Sequence, residues 1–289
     1  TPKPSSAASD VYKRQGQPLA STTRRVPAPD RYRVDAPDLG AWLAAEIQKQ
    51  IDDLAAHGIR FAAFLADSIF SSDGVLPGPA GYLKQAVDVV HRNGGLFIAD
   101  EVQPGFARTG EAFWGFARHG VVPDVVTTGK PMGNGIPVSG LFARSDVLAA
   151  FSDSLPYFNT FGGNPVSIAA AQAVLRVIHE EKLQAHSLHV GRLLQAELAR
   201  LATRHSGVGD VRGAGLFIGF EIVGDPLSRQ PDRARALDVV EHLRERRVLT
   251  SVAGPHGNVL KLRPPLAFQA HDIDWLVGAL DEALSLTQR

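Results

Sequence analysis

Asp100 and Lys130 are the residues in this chain whose types and positions point most directly to chemistry, while Glu101 beside Asp100 reads as structural. The acids follow the apolar run Leu96 to Ala99, and Lys130 follows Val125-Val126 through Thr127-Thr128-Gly129. An amine can form a Schiff base with an aldehyde. A carboxylate can pair with a pyridinium nitrogen and keep it protonated, so that the ring accepts electrons. An acid and an amine brought to one rim of a sheet are what pyridoxal phosphate chemistry needs. Gly129-Lys130 is not a nucleotide phosphate loop, because Asp124 and Pro131 occupy positions that such a loop reserves for other residues.

Both apolar runs are too short for helices and do not alternate. They read as buried strands of a parallel sheet, whose ligands gather outside the carboxyl ends. The elements that must position them follow in order. Pro37 and Asp38 open a helix whose apolar spacing runs from Leu39 to Leu54, closed by His57-Gly58. Phe61–Ala66 is a strand, and Tyr82 to Val90 a helix closed by Asn93-Gly94-Gly95. Strand, helix and strand make a βαβ unit with a right-handed crossover. Beyond Lys130 come a tight turn, a strand over Val138–Ala143 and a short helix, Ser145–Phe151. Asn164-Pro165 starts a long helical region, broken near His179–Lys182 and running to about Arg204. Strands over Val208–Val223, Val248–Val252 and Asn258–Leu262 alternate with helices over Asp232–Arg246 and Ile273–Leu286. The expected class is α/β: a mostly parallel large domain over residues 16–180 and a C-terminal α+β small domain over 181–289.

Composition narrows the function classes. Thirty basic and thirty acidic residues give no net charge, so neither a nucleic-acid nor a membrane footprint is expected. The absence of cysteine excludes disulfides and thiolate chemistry and fits a reducing, cytoplasmic setting. His186 and His189 share a helix face but have no third ligand nearby in sequence, so no metal site is expected. The chain begins at Thr1, and its single methionine is Met132. Residues 5–15 resemble translated adapter sequence. Residues 1–15 are read as a non-native or disordered tail, and the chain as an N-terminally truncated fragment.

Four ordered motifs carry a resemblance. They are Asp100-Glu101-Val102-Gln103-x-Gly105-Phe106-x-Arg108-Thr109-Gly110, Thr128-Gly129-Lys130-x-x-Gly133-Asn134-Gly135-x-Pro137, Thr160-Phe161-Gly162-Gly163-Asn164-Pro165 and Lys261-Leu262-Arg263-Pro264-Pro265-Leu266. Together they resemble the class III aminotransferases, the ornithine and 4-aminobutyrate transaminase group. The resemblance implies a fold-type I enzyme that uses pyridoxal 5'-phosphate and works as a homodimer on a small amino donor and a 2-oxo acid. It implies that Lys130 carries the cofactor aldehyde, Asp100 faces the ring nitrogen, Val102 packs on the ring and Gln103 meets the ring hydroxyl. Thr160 would reach the cofactor phosphate from the partner subunit, and Arg263 would hold the substrate carboxylate.

The chain departs from that pattern twice. The family's glycine/serine phosphate loop and ring-stacking aromatic have no counterpart here. Asp67-Ser68 stands where a glutamate-proline pair is usual. Transamination is the expected reaction. Phosphate elimination, amine migration on the same scaffold, and an inert fragment remain open at this stage.

Overall fold

The computed structural model describes residues 19–287, so the tail expected over 1–15 lies outside the described residues. Helix α1, Leu39–Ala56, starts where Asp38 accepts the Ala41 N–H at 2.9 Å. That side chain satisfies one of the donors a helix start leaves open. Strand β1 (Ala63–Ala66), helix α2 (Leu83–Arg92) and strand β2 (Leu96–Asp100) form the βαβ unit. Strand β3 (Val125–Thr128) pairs parallel to β2, and β4 (Gly140–Ala143) closes the sheet antiparallel to β3. The sheet order is β1-β2-β3-β4.

Strand β3 is buried on both faces at Val125 and Val126, as its apolar run suggested, but β1 and β2 are not. In β2, Phe97 and Ala99 are buried while Leu96, Ile98 and Asp100 are only partly so, and β1 alternates in the same sense. One face, with Phe64, Ala66, Phe97 and Ala99, packs in the same core as Leu43 and Ile47 of α1 and Leu83, Val87 and Val90 of α2. The opposite face, with Leu65 and Ile98, is less completely covered. A doubly apolar strand is suited to a covering layer on each face, and over β1 and β2 the described residues complete only one.

A helix over Ser145–Ser152 (α3) follows β4. Asn164 then caps α4 (Pro165–Glu180), accepting the Ser167 N–H at 3.0 Å with proline in the first turn. The break near residue 181 is real: α5 (Leu183–Ala202) starts afresh after Lys182, which has a left-handed backbone. Strands β5 (Val208–Ala214), β6 (Phe217–Asp225), β8 (Val252–Ala253) and β9 (Val259–Leu262) form an antiparallel sheet in the order β5-β6-β9-β8. A short β7, Gln230–Pro231, pairs with β6. The strand expected from Val248 begins only at Val252, because the Val248 N–H is bound to Leu243 O at 2.9 Å in the preceding helix end. Helices α6 (Arg233–Glu245) and α7 (Ala270–Leu286) join α5 over this sheet. Leu194, Leu198, Phe220, Leu243, Leu260 and Leu280 form the core between them.

Among the described residues, no helix is long and apolar enough to cross a membrane. Nor does any group of three histidine, cysteine, aspartate or glutamate residues there suit a metal ion.

Candidate active site

Asp100 is the last residue of β2, and its register partner on β3 is Thr127. Adjacent strands lie about 4.8 Å apart. Lys130, three residues beyond Thr127, therefore leaves the sheet at the same carboxyl rim as Asp100. Its side chain is exposed. Asp100 accepts the Val102 N–H at 3.1 Å, which turns the chain away from the strand. Val102 then lies against the lysine segment: a Cβ built on Gly129 would sit 4.0 Å from Val102 Cγ2. Beyond the lysine, a Cβ on Gly133 would meet Ile136 O at 2.1 Å, so the turn there admits only glycine.

Glu101 points the other way, into the protein, and is fully buried. It accepts Ser68 Oγ at 3.1 Å, the Gly115 N–H at 2.7 Å and the Phe116 N–H at 2.9 Å. It thus anchors the 3-10 helix Gly115–His119 to the end of β2. Burial raises its pKa to about 7, against the three donors that favour the carboxylate. The folded state therefore holds more protons than the unfolded one between about pH 4.5 and 7, and the Glu101 contribution to stability falls as pH rises through that window. The fall should be about 3 kcal/mol. Urea denaturation at pH 5 and pH 7.5 should show this difference in the native chain and lose it in Glu101→Gln. An equal pH slope in the two proteins would remove Glu101 as its source.

Asp67 stands at the end of β1, where it accepts the backbone N–H groups of Ile69 and Ser71 at 2.9 and 3.0 Å. Burial raises its pKa, and the negative charge of Asp100 adds to the effect. The residue at the departure from the family pattern is thus electrostatically coupled to the rim. It fixes the turn that leads to Ser72.

Gln103 is drawn into a cationic corner. Its Oε1 accepts Lys261 Nζ at 2.8 Å and Arg263 Nη1 at 3.4 Å, and its Nε2 donates to Ser72 Oγ at 3.3 Å. Lys261 and Arg263 also lie over the Phe217 ring, at 5.5 and 5.8 Å from its centroid. Arg263 itself is exposed, whereas Lys261 is half-buried. Arg108 joins the first motif to the last by donating to Pro264 O, and it reaches Leu216 O at 3.2 Å. Burial lowers its pKa to about 10, helped by the positive charge of Arg263. The close approach is made possible by Gly110 and Gly215, both left-handed. A Cβ on Gly110 would strike Leu188 N at 2.5 Å, and one on Gly215 would strike Arg108 O at 2.5 Å.

Asp100, Val102 and Lys130 come together at the rim, and Gln103 and Arg263 meet beside it. Thr160 does not join them. It lies on an exposed loop shaped by Asn159, whose Oδ1 accepts the N–H groups of Phe161 and Gly162 at 3.1 and 2.8 Å. Sequence reasoning missed Lys261. Lys261 lies in β9 two residues before Arg263, which follows the last residue of that strand, and the two meet at Gln103.

The set at the rim suits pyridoxal phosphate. It offers an acid at one strand end, an apolar side chain against the lysine segment and an exposed amine, groups that could serve the cofactor's ring nitrogen, ring face and aldehyde. A two-sheet α/β scaffold carries this rim. A model of the family "Aminotransferase class-III" matches residues 5–284, and the chain belongs to that pyridoxal-phosphate-dependent family.

The chain is 44% identical over 258 residues to an alanine–glyoxylate aminotransferase 2-like protein of Drosophila melanogaster, covering 89% of this chain and 52% of that protein. It is 39% identical over 253 residues to ethanolamine-phosphate phospho-lyase homolog 1 of Caenorhabditis elegans, covering 86% of this chain and 54% of that one. A solved phospholyase from Arthrobacter in complex with phosphoethanolamine superposes with a TM-score of 0.87 at 42% identity, covering 93% of this chain and 64% of that chain. The fold is therefore that of fold-type I aminotransferases. The chain spans about half the length of these curated relatives. Their names point to alanine–glyoxylate and ethanolamine-phosphate chemistry, not to the ornithine and 4-aminobutyrate enzymes that the motifs resemble.

Proposed function

We propose that this chain carries the amine-and-acid portion of a pyridoxal-phosphate-dependent enzyme that transfers an amino group from a small anionic donor to a 2-oxo acid. The observation that carries this reading is the placement of Asp100 and Lys130 at the carboxyl ends of adjacent parallel strands, with Val102 against the lysine segment. Pyridoxal phosphate, when bound, supplies an aldehyde and a ring that accepts electrons. Asp100 holds a proton at the ring nitrogen, and Val102 supports the ring face. Lys130 Nζ would hold the cofactor aldehyde, and its amine would be placed to move a proton at the substrate α-carbon. Gln103 would meet the ring hydroxyl. Arg263 steers the anionic end of the substrate.

Thr160 acts on the cofactor phosphate of a second copy in a homodimer. Its loop supports this arrangement, because Tyr157, Phe158 and Phe161 expose 72, 85 and 80% of their surface. Neighbouring apolar side chains this exposed mark an interaction surface. Sedimentation should show a dimer that Phe158→Asp weakens; an unchanged monomer in both proteins would refute the assignment.

A second reaction, elimination of phosphate from an amino substrate, is favoured by the added cation Lys261 and by the phospho-lyases among the relatives. Borohydride treatment of the chain with pyridoxal phosphate tests the shared site. A pyridoxyl group on the peptide holding Lys130 is expected, and its absence there would oppose the reading. Product analysis of the protein containing this chain separates the reactions. A carbonyl product with an amino-acid co-product means transfer, whereas ammonia with inorganic phosphate means elimination.

A further inference from the structure

We infer that Glu101 is a positioning residue for the turn over residues 100–103, holding its cofactor-facing side chains in place from behind, and that Ser68 completes its anchorage. The inference rests on the reading of the rim as a pyridoxal phosphate site, and it adds a residue buried behind that rim. Asp100, Val102 and Gln103 are each only partly buried, so their own packing fixes them only in part. Glu101, between them, faces inward and is fully buried. Its N–H donates to Thr127 O at 2.8 Å, and its carbonyl accepts the Gly105 N–H at 3.2 Å. The first bond ties the end of β2 to the strand that leads to Lys130. The second closes the turn that carries Val102 and Gln103.

The Glu101 side chain locks that turn to two distant segments. Gly115 and Phe116 give it their N–H groups from the start of the 3-10 helix, and Ser68 gives its hydroxyl from the turn after β1. His119, the last residue of the same helix, meets Ser68 O through Nε2 at 3.1 Å. A carbonyl only accepts, so Nε2 carries the donated proton. Glu101, the 3-10 helix and Ser68 thus close a ring of hydrogen bonds. The ring is tight: a Cβ on Gly115 would lie 2.3 Å from Ser68 Oγ, and one on Gly105 would lie 2.7 Å from Glu101 O. Asp67 fixes the turn at Ser68 by accepting the Ile69 and Ser71 N–H groups. Serine stands here where the resembled pattern has proline, and proline has no side-chain donor. The departure at Asp67-Ser68 therefore supplies the third donor to Glu101. A glutamine at position 101 would set its own N–H groups against one of the three donors. Groups that act on a cofactor keep their geometry only when the residues behind them are themselves locked.

The test combines amide hydrogen exchange, read by peptide mass on the full chain without cofactor, with the release rate and visible absorption of pyridoxal phosphate after loading. Glu101→Gln should speed exchange roughly ten- to a hundredfold at residues 102–105 and 115–116, because a buried donor loses its acceptor. It should speed cofactor release by a similar factor and shift the absorption, because Asp100 moves relative to the ring nitrogen. Ser68→Ala removes one donor and keeps the carboxyl. It should give the same changes at about three- to tenfold, and it decides alone if the glutamine variant does not fold. Leu198→Val weakens the other core and serves as the control for general destabilisation. It should change neither exchange at 102–105 nor the absorption. Faster exchange with unaltered release and absorption in Glu101→Gln, or equal changes in Leu198→Val, would overturn the positioning role. Borohydride trapping at Lys130 of the native chain is the reference. Its failure would defeat the rim reading and the positioning role with it, whereas trapping with unchanged exchange at 102–105 in Glu101→Gln would defeat the positioning role alone.

Discussion

Lys130→Ala should abolish borohydride-trapped pyridoxyl on this chain and reduce amino-group chemistry in the enzyme containing it by at least roughly 10²–10⁴-fold, the range set by losing a positioned proton-transfer group. Losing the covalent hold on the aldehyde adds to that factor. The substitution should leave stability nearly unchanged. Lys130 is exposed, and exposed substitutions of this kind usually fall within about 0.5 kcal/mol. The combination is diagnostic: an intact melting transition, near-complete loss of turnover and no cofactor on the peptide. Trapping at Lys84 or Lys261 in the alanine variant, with activity retained, would move the reactive amine elsewhere and dismantle the rim assignment. Asp100→Asn supplies the companion measurement. Trapping at Lys130 should persist, because the amine is intact, while turnover falls because the ring nitrogen loses its charged partner.

Glu221→Gln should destabilise the fold by about 3–5 kcal/mol, the cost of breaking a buried ion pair from one side. Glu221 is fully buried in β6. It accepts Arg212 Nη1 at 2.7 Å and Asn258 Nδ2 at 3.1 Å, and it pairs with Arg33. Arg212 in turn donates to Gly74 O at 2.7 Å and Val75 O at 2.9 Å. The carboxylate therefore joins the segment at Arg33, the C-terminal sheet and the loop that carries Ser72. Burial opposes its ionisation, but Arg33 and Arg212 outweigh burial and hold its pKa below the ordinary glutamate value. A depressed folded pKa means that the Glu221 contribution is fully present above the unfolded value of 4.5 and is lost as pH falls through the folded one. Urea denaturation should show the native advantage over Glu221→Gln shrinking as pH drops below 4.5. A loss under 0.5 kcal/mol at pH 7 would sink the idea of a buried node.

Local residue chemistry fixed much of the framework before any tertiary contact was known. Asp38, Asn164 and Asp232 each cap the helix they precede, because a short polar side chain before an apolar period meets the open N–H groups of the first turn. Short apolar runs between helices could only be strands, and the acids and lysine at their ends had to emerge at one rim. The positions of Asp100 and Lys130 were legible for that reason, whereas Val102 was singled out only by the resemblance. What escaped was every feature that depends on distant segments. Glu101 was readable as structural, but its three donors come from Ser68, Gly115 and Phe116. Glu221 reads in sequence as an acid in an apolar strand, and nothing local announces Arg33 or Arg212.

The amino-acid sequence by itself determined the order of the elements, the rim with its acid and amine, and the family to which four ordered motifs belong. Period and capping are properties of neighbouring residues, and strand ends place their side chains by backbone geometry alone. Only the tertiary structure decided that one face of the first sheet is less completely covered, and that Arg108 ties the first motif to Pro264. It also decided that Lys261, not Arg263 alone, meets Gln103. Those outcomes depend on which surfaces pack and which charges are brought out of water together. Residues more than a hundred positions apart settle such questions only when the chain has folded.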